Sequence, residues 1–270
     1  MKKFKVPFRG KYLAATSAGK EGNDGIIFIH GNSMSSKIWR KQFEGAALER
    51  YRLIAFDLPG HGDSDNLESY GLPVLAESLT KVLKHFSPKR FVMVGNSLGG
   101  NLALQASTVA SGCKGIMLVD SPVLGKPPAL ENALIPNPYI GMLFAREIDR
   151  ANLDKIPGIV FHNLKDTPDF VIPDYVRADG LNRQMVMESV NTSDYNDENE
   201  ILKAHPYPVA IVSGKEEKLI NNAYFDTLDV ANLWGGKTIL IENAAHCPQW
   251  ENAEAFNGLL HEFCSDTLKP

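Results

Sequence analysis

Several things are scarce in this 270-residue chain, and each scarcity removes a class of function. There are only three cysteines, Cys113, Cys247 and Cys264; they are odd in number and far apart. No disulfide framework is implied, and a reducing compartment fits. No run approaches the roughly 18 consecutive apolar residues of a membrane span. The opening Met1-Lys2-Lys3-Phe4-Lys5 is basic, but no apolar segment or small-residue cleavage site follows it, which argues for a cytoplasmic protein rather than a secreted one. Positive charge is not in excess: the net charge is −4, leaving no basic footprint for nucleic acid and no polybasic patch for anionic lipid. A dinuclear metal centre would need a cluster such as His-x-His-x-Asp-His, and none is present, so neither metal nor other cofactor is expected. What remains is an enzyme or binder of small molecules. Nothing in the sequence speaks to oligomeric state.

With 44% hydrophobic and 22% charged residues, the chain can build a sizeable core. Lys3–Phe8 and Lys11–Thr16, split by Arg9-Gly10, read as an opening hairpin. Gly25–His30, Tyr51–Asp57, Arg90–Gly95, Gly115–Asp120, Pro208–Ser213 and Lys237–Glu242 are short, nearly continuous apolar runs, as strands covered on both faces require. Helical patterns lie between them at Tyr70–Phe86, Leu98–Ala110 and Glu251–Phe263. Strand and helix in alternation predict an α/β fold with a mostly parallel eight-stranded sheet and helices on both faces. Residues 121–205 break the rhythm. They are rich in Pro, Asn and Asp, with short amphipathic pieces such as Asn137–Asp149, and read as a helical cap over a core formed by 1–120 and 206–270.

Gly95-Asn96-Ser97-Leu98-Gly99-Gly100 matches Gly-x-Ser-x-Gly at the junction of an apolar strand and a helix-forming segment. A serine on so sharp a strand-to-helix turn needs small neighbours, because side chains there would strike the strand and the helix. The turn also sets the hydroxyl at a helix N-terminus, where amide dipoles favour developing negative charge. Together with the sheet pattern, this resembles the α/β-hydrolase family along the whole chain. In that family the triad order is serine, acid, histidine, with the histidine on the loop after the last strand. His246, in Asn243-Ala244-Ala245-His246-Cys247, occupies that place. The acid belongs after the penultimate strand, where Ser213-Gly214-Lys215-Glu216-Glu217 offers Glu217 on register and Glu216 beside it; Asp120, at the end of the sixth strand, is a third candidate. The amides of Asn32 and Leu98 would form the oxyanion hole. His30 is expected to pin the first loop by hydrogen bonds, and the side-chain amide of Asn32 could reach a polar group of the substrate. Asp57-Leu58-Pro59-Gly60-His61-Gly62-Asp63-Ser64 reads as a turn in which Asp57 caps local amides and the glycines take positive φ.

More narrowly, the chain resembles the metal-independent N-acyl-homoserine lactonases of that fold. The resemblance rests on His30-Gly31-Asn32-Ser33 with Phe43-Glu44-Gly45, on Asp57-Leu58-Pro59-Gly60-His61-Gly62, and on Ala231-Asn232-Leu233-Trp234-Gly235-Gly236-Lys237-Thr238 leading to Ile241–His246. It implies Ser97 as nucleophile, Glu217 as acid, His246 as base and Asn32 beside the substrate, acting on a lactone or other ester. Trp39, Phe43, Ile135, Tyr139, Met142 and Phe144 are candidates for an apolar acyl pocket, with Trp39, Tyr139 and Phe144 foremost.

Overall fold

A computed structural model describes residues 1–269. One eight-stranded sheet runs β1 (Lys2–Phe8), β2 (Lys11–Ala18), β3 (Gly25–Ile29), β4 (Arg52–Phe56), β5 (Phe91–Asn96), β6 (Cys113–Val119), β7 (Val209–Gly214) and β8 (Ile239–Ile241). Its spatial order is β1-β2-β4-β3-β5-β6-β7-β8. The first two strands form an antiparallel hairpin, β2 pairs antiparallel with β4, and every later pairing is parallel. The mostly parallel α/β sheet expected from the apolar runs is present, with strand ends shifted by at most two residues. The hairpin turns on Arg9 and Gly10, both at positive φ, the geometry that matches the twist of paired strands. Strands β3, β4, β5 and β7 are buried at every residue, which is why they read as unbroken apolar runs rather than alternating ones.

Helices cover both faces. In α1 (Leu72–Phe86), Leu72, Leu75, Leu79, Val82, Leu83 and Phe86 recur at three- and four-residue steps and form the buried stripe. The helix stops at Ser87, which takes the left-handed conformation and returns its N–H to Leu83 O at 2.8 Å. The next helix, α2 (Leu98–Ser107), is buried along almost its whole length. Between β6 and β7 the chain runs through short helical turns and three longer helices: α3 (Val171–Arg177), α4 (Gly180–Asn191) and α5 (Glu198–Ala204). The expected amphipathic piece at 137–149 is only a 3-10 turn, Ile140–Phe144. The last helix, α6 (Ala253–Thr267), packs Phe256, Leu260 and Phe263 into the core. No helix among the described residues is long and apolar enough to cross a membrane. Cys113, Cys247 and Cys264 are all buried and free.

The segment between β6 and β7 is moored to the β3 and β4 loops by polar contacts. Lys37 pairs with the buried Asp174 at 2.9 Å, and Ser35 hydrogen-bonds the same carboxylate. Tyr70 donates to Asp179 at 2.8 Å, and Asp179 N donates to Gly60 O at 2.8 Å. Arg183, also buried, has no carboxylate partner; it donates to the carbonyls of Ala145, Arg146, Tyr175 and Ala178 and to Ser33 Oγ. A guanidinium can be buried this way because its fork presents five donors, and here carbonyl dipoles take the place of a counter-ion.

Candidate active site

Ser97 stands between β5 and α2 with φ 52° and ψ −123°, a conformation costly for a residue with a side chain. Its surroundings over-determine it. Its N–H donates to Val119 O at 2.8 Å, and its carbonyl accepts from Gly100 N at 2.8 Å and Ser121 Oγ at 2.7 Å. The flanking glycines are needed for space. A Cβ on Gly95 would strike the backbone of Gly99, and one on Gly99 would strike the carbonyls of Ile29 and His30. Gly31 lies directly against Ser97: a Cβ added there would sit 3.2 Å from that of the serine. The loop after β3 therefore abuts Ser97. This contact brings the backbone of Asn32 toward the serine, while Leu98 N, opening α2, has no acceptor within its own helix.

Two histidines hold that loop. His30 Nδ1 bonds Gly31 O at 2.8 Å, while Nε2 accepts from Leu58 N at 2.9 Å. His61 repeats the arrangement, with Nδ1 on Pro59 O at 3.0 Å and Nε2 accepting from Ser33 N at 3.1 Å. Each ring is fully buried and must accept at one nitrogen, so both are neutral: burial pushes His30 down to about 4, and burial with the neighbouring His30 pushes His61 down to about 3. His30 is thus a pin, as expected, whereas the matching role of His61 went unseen in the sequence. Asp57 caps local amides as expected, accepting from Ser36 N at 2.7 Å and Asp63 N at 2.8 Å. Gly62 takes φ 47° where any side chain would collide with that carboxylate.

His246 follows β8. Its Nδ1 meets Glu217 Oε2 at 3.1 Å. Its N–H donates to Val160 O at 3.0 Å, and its carbonyl accepts from Asn96 Nδ2 at 3.0 Å. Asn96 thus stitches the serine turn to the histidine loop, a role that its place beside Ser97 did not reveal. Glu251 supports the same loop by accepting from Ala245 N at 2.9 Å.

The three acid candidates separate cleanly. Glu217 presents Oε1 to the amides of Lys218, Leu219 and Ile220 at 2.9, 2.6 and 3.2 Å, and Oε2 to His246. Burial alone would raise this acid, but His246 and the amide donors outweigh it and hold Glu217 below the usual carboxylate range. Glu216 turns the other way and accepts from Ala244 N at 3.0 Å, bracing the histidine loop. Asp120 lies behind the pair. Its carboxyl, that of Glu217 and the His246 ring each offer an atom within 4.8 Å of the others. Among the described residues, these are the groups grouped tightly enough to hold a cation.

Ser97 and His246 open onto one narrow cavity of about 70 Å3. Gly31, Asn32, Met34 and Asn96 form its floor, and Leu134, Ile140, Leu143, Phe144, Val160 and Tyr175 wall it from the segment after β6, with Leu219 and Ile220 from the acid loop. Of the expected pocket residues only Phe144 and Asn32 line it. Trp39 does not: its short 3-10 turn points it inward, fully buried, with ring centroids 5.0 Å from Phe28 and 6.3 Å from Phe256. Phe43 also packs on Phe28. Tyr139 is exposed, with Lys155 Nζ 4.7 Å from its ring centre. Asn32 reaches the wall, where one hydrogen of its side-chain amide is donated to Leu143 O at 2.8 Å in the covering segment. Val160, Tyr175, Leu219 and Ile220 were not foreseen as walls.

Comparisons place this geometry in a known setting. The chain superposes on the N-acyl homoserine lactonase AidH in complex with N-butanoyl homoserine with a TM-score of 0.93, at 23% identity, covering 100% of this chain and 98% of that one. It superposes on an esterase from Exiguobacterium antarcticum with a TM-score of 0.73 at 17% identity, covering 98% and 100%. In sequence it is 28% identical over 258 residues to the 2-succinyl-6-hydroxy-2,4-cyclohexadiene-1-carboxylate synthase of Enterobacter sp. (strain 638), covering 94% of this chain and 96% of the relative. Residues 25–253 match the family described as the alpha/beta hydrolase fold, and the chain belongs to that family.

Proposed function

We propose that this chain is a serine hydrolase that opens the lactone ring of N-acyl-homoserine lactones, using Ser97, His246 and Glu217 and no metal. The observation that carries the reading is the placement of Ser97 and His246 at one narrow cavity whose other walls are largely apolar, with Glu217 fixing the His246 ring. Such a cavity suits a short acyl chain attached to a small polar ring. The fold likeness to AidH, solved with N-butanoyl homoserine, supports the same substrate class. The segment 121–205 acts as the cap that shapes the pocket.

In this mechanism His246 Nε2 takes the Ser97 proton as the hydroxyl attacks the lactone carbonyl. The amides of Asn32 and Leu98 receive the oxyanion, worth about 3 kcal/mol per donor. The ring oxygen leaves as an alcohol still tethered to the acyl group and takes the proton back from His246. Water, deprotonated by the same histidine, then frees the hydroxy acid. Glu217 holds Nδ1 protonated and balances the imidazolium.

The test is a panel of acyl-homoserine lactones of increasing chain length set against p-nitrophenyl esters, with product identified as the ring-opened acid. Ser97→Ala should abolish turnover, Glu216→Gln should stay within about threefold of the parent, and dialysis against a chelator should leave the rate unchanged. Turnover confined to linear esters would sink the lactonase reading in favour of a small-ester carboxylesterase. Unchanged turnover in Ser97→Ala would sink both.

A further inference from the structure

Behind the acid of the proposed triad sits a second carboxyl that the mechanism above does not use. Asp120 ends β6 at φ 44°, fully buried, its N–H donating to Val212 O at 2.9 Å. Its Oδ1 accepts from Gly214 N at 3.1 Å and meets the hydroxyl of Ser213 in a short contact. The titratable groups facing it are Glu217 and His246, from the loops after β7 and β8, and the buried Cys247 thiol.

Two features of this corner concern protons. First, Asp120, Glu217 and His246 each bring an atom within 4.8 Å of the others, and two ionised carboxyls so close and so deeply buried repel each other strongly. Glu217 has three backbone amides on one oxygen and the histidine on the other, whereas Asp120 has one backbone amide, that of Gly214, shared between Oδ1 at 3.1 Å and Oδ2 at 3.4 Å. The charge belongs on Glu217.

Second, Ser213 Oγ lies between two acceptor oxygens: Asp120 Oδ1 and, at 2.6 Å, Asn222 Oδ1. The orientation of Asn222 is set by its Nδ2, which donates to Gly214 O at 3.0 Å. A hydroxyl carries one hydrogen and can satisfy only one of two such close oxygen contacts. The other needs a hydrogen from elsewhere, and Asp120 is the group there that can carry it.

We propose that Asp120 is a protonated reserve carboxyl: neutral while Glu217 is charged, and taking over the negative charge that steadies His246 when Glu217 cannot supply it. On taking over, the Asp120 proton passes to solvent and the carboxylate remains, within 4.8 Å of the His246 nitrogen. Asp120 is thereby a positioning residue, acting through Glu217 and His246 and not on the substrate. While neutral, it also spares the site a second negative charge.

The proposal rests on the triad reading, and its first test needs no substrate. Protein carrying 13C-carboxyl aspartate is titrated by NMR. One aspartate carboxyl should hold the protonated chemical shift at pH 7, be missing from Asp120→Asn, and ionise at lower pH in Glu217→Gln. The last comparison stands even if Asp120→Asn does not fold. In the second test kcat/KM is measured on whichever ester Ser97 turns over. Glu217→Gln with Asp120→Asn should be slower than Glu217→Gln alone by about tenfold or more, a larger factor than Asp120→Asn causes in the parent. An ionised Asp120 at pH 7, a titration unmoved by Glu217→Gln, or a double variant no slower than Glu217→Gln would each overturn the proposal. A failed hydrolase reading would leave the carboxyl signal in place, so the two failures are distinguishable.

Discussion

Glu198 offers the sharpest check on how the segment after β6 is tied to the helix that follows Ser97. It is fully buried at the start of α5, and its carboxyl accepts from Asn101 Nδ2 at 2.8 Å, Gln105 Nε2 at 3.0 Å and Leu124 N at 2.9 Å. Asn101 and Gln105 both belong to α2, the helix that begins beside Ser97. All three donors are neutral. Burial therefore dominates and raises Glu198 from 4.5 to about 8. An acid raised on folding adds stability fully below its unfolded value and loses it as pH rises through the folded value. The window is thus from about pH 4.5 to about pH 8, and the loss approaches 2.303RT, about 1.4 kcal/mol, per pH unit inside it. Carried to pH 7, this amounts to about 3 kcal/mol relative to acid conditions, as an order of magnitude. Glu198→Gln keeps the size of the side chain and removes the titration. It costs something at every pH, because an NH2 then faces one of the three donors, but it flattens the slope. The assay is urea unfolding at half-unit steps from pH 4.5 to 9 for both proteins, with the difference in unfolding free energy plotted against pH. The difference should move in favour of the variant as pH rises. Curves that stay parallel would refute the assignment and show that the three donors keep Glu198 ionised throughout.

Other perturbations follow from geometry alone. Gly99→Ala places a methyl against the backbone carbonyls of Ile29 and His30, which a sheet interior cannot yield, so a loss above about 3 kcal/mol or an insoluble product is expected. Gly258→Ala, on α6 with open space around it, should instead gain up to about 1 kcal/mol, and thermal melts of the two variants rank them. Arg183→Met leaves four carbonyls, those of Tyr175 and Ala178 buried, and Ser33 Oγ without their donor and should cost about 3 kcal/mol. It should also raise proteolytic nicking near Ala145 and Ala178, read by limited digestion. Nicking no faster than in the parent would mean that the segment is held by other contacts.

The legible parts of this protein were those written in neighbouring residues. Strand runs, the serine turn and the histidine after β8 depend on spacings of a few positions, and each lies where its pattern placed it. Glu217 stood out from Glu216 by register, and the structure separates them for a reason no register contains: Lys215 pairs with Ile241 through its N–H and Glu216 with Ala244, which turns one carboxyl toward the loop and its neighbour toward the ring. What could not be read was set by partners far along the chain. Asn32 is engaged by Leu143, 111 residues later, in a stretch with no periodic signal. Trp39 sits seven residues beyond Asn32 and so looked like its neighbour in a pocket. One turn of 3-10 helix reverses its direction, and Phe256 of the last helix receives it.

That division has a physical cause. Ser97, Glu217 and His246 are fixed by backbone geometry at the ends of β5, β7 and β8, where strand pairing leaves little freedom, so short motifs carry them. The cavity walls come from the segment after β6, whose turns of four to seven residues cannot hold their own shape in water. They are positioned by tertiary polar ties instead: Asp174 to Ser35 and Lys37, Asp179 to Tyr70, Arg183 to five acceptors, Glu198 to α2. Each of these four ionisable side chains reaches a polar group outside the segment, Arg183 through Ser33 Oγ alone, and three of the four are buried. The shape of the cavity therefore rests on buried ionisable groups that sit outside its wall. On the function proposed above, altering them should move chain-length preference before it changes turnover at Ser97, whose own supports come from β6, the β3 loop and the His246 loop.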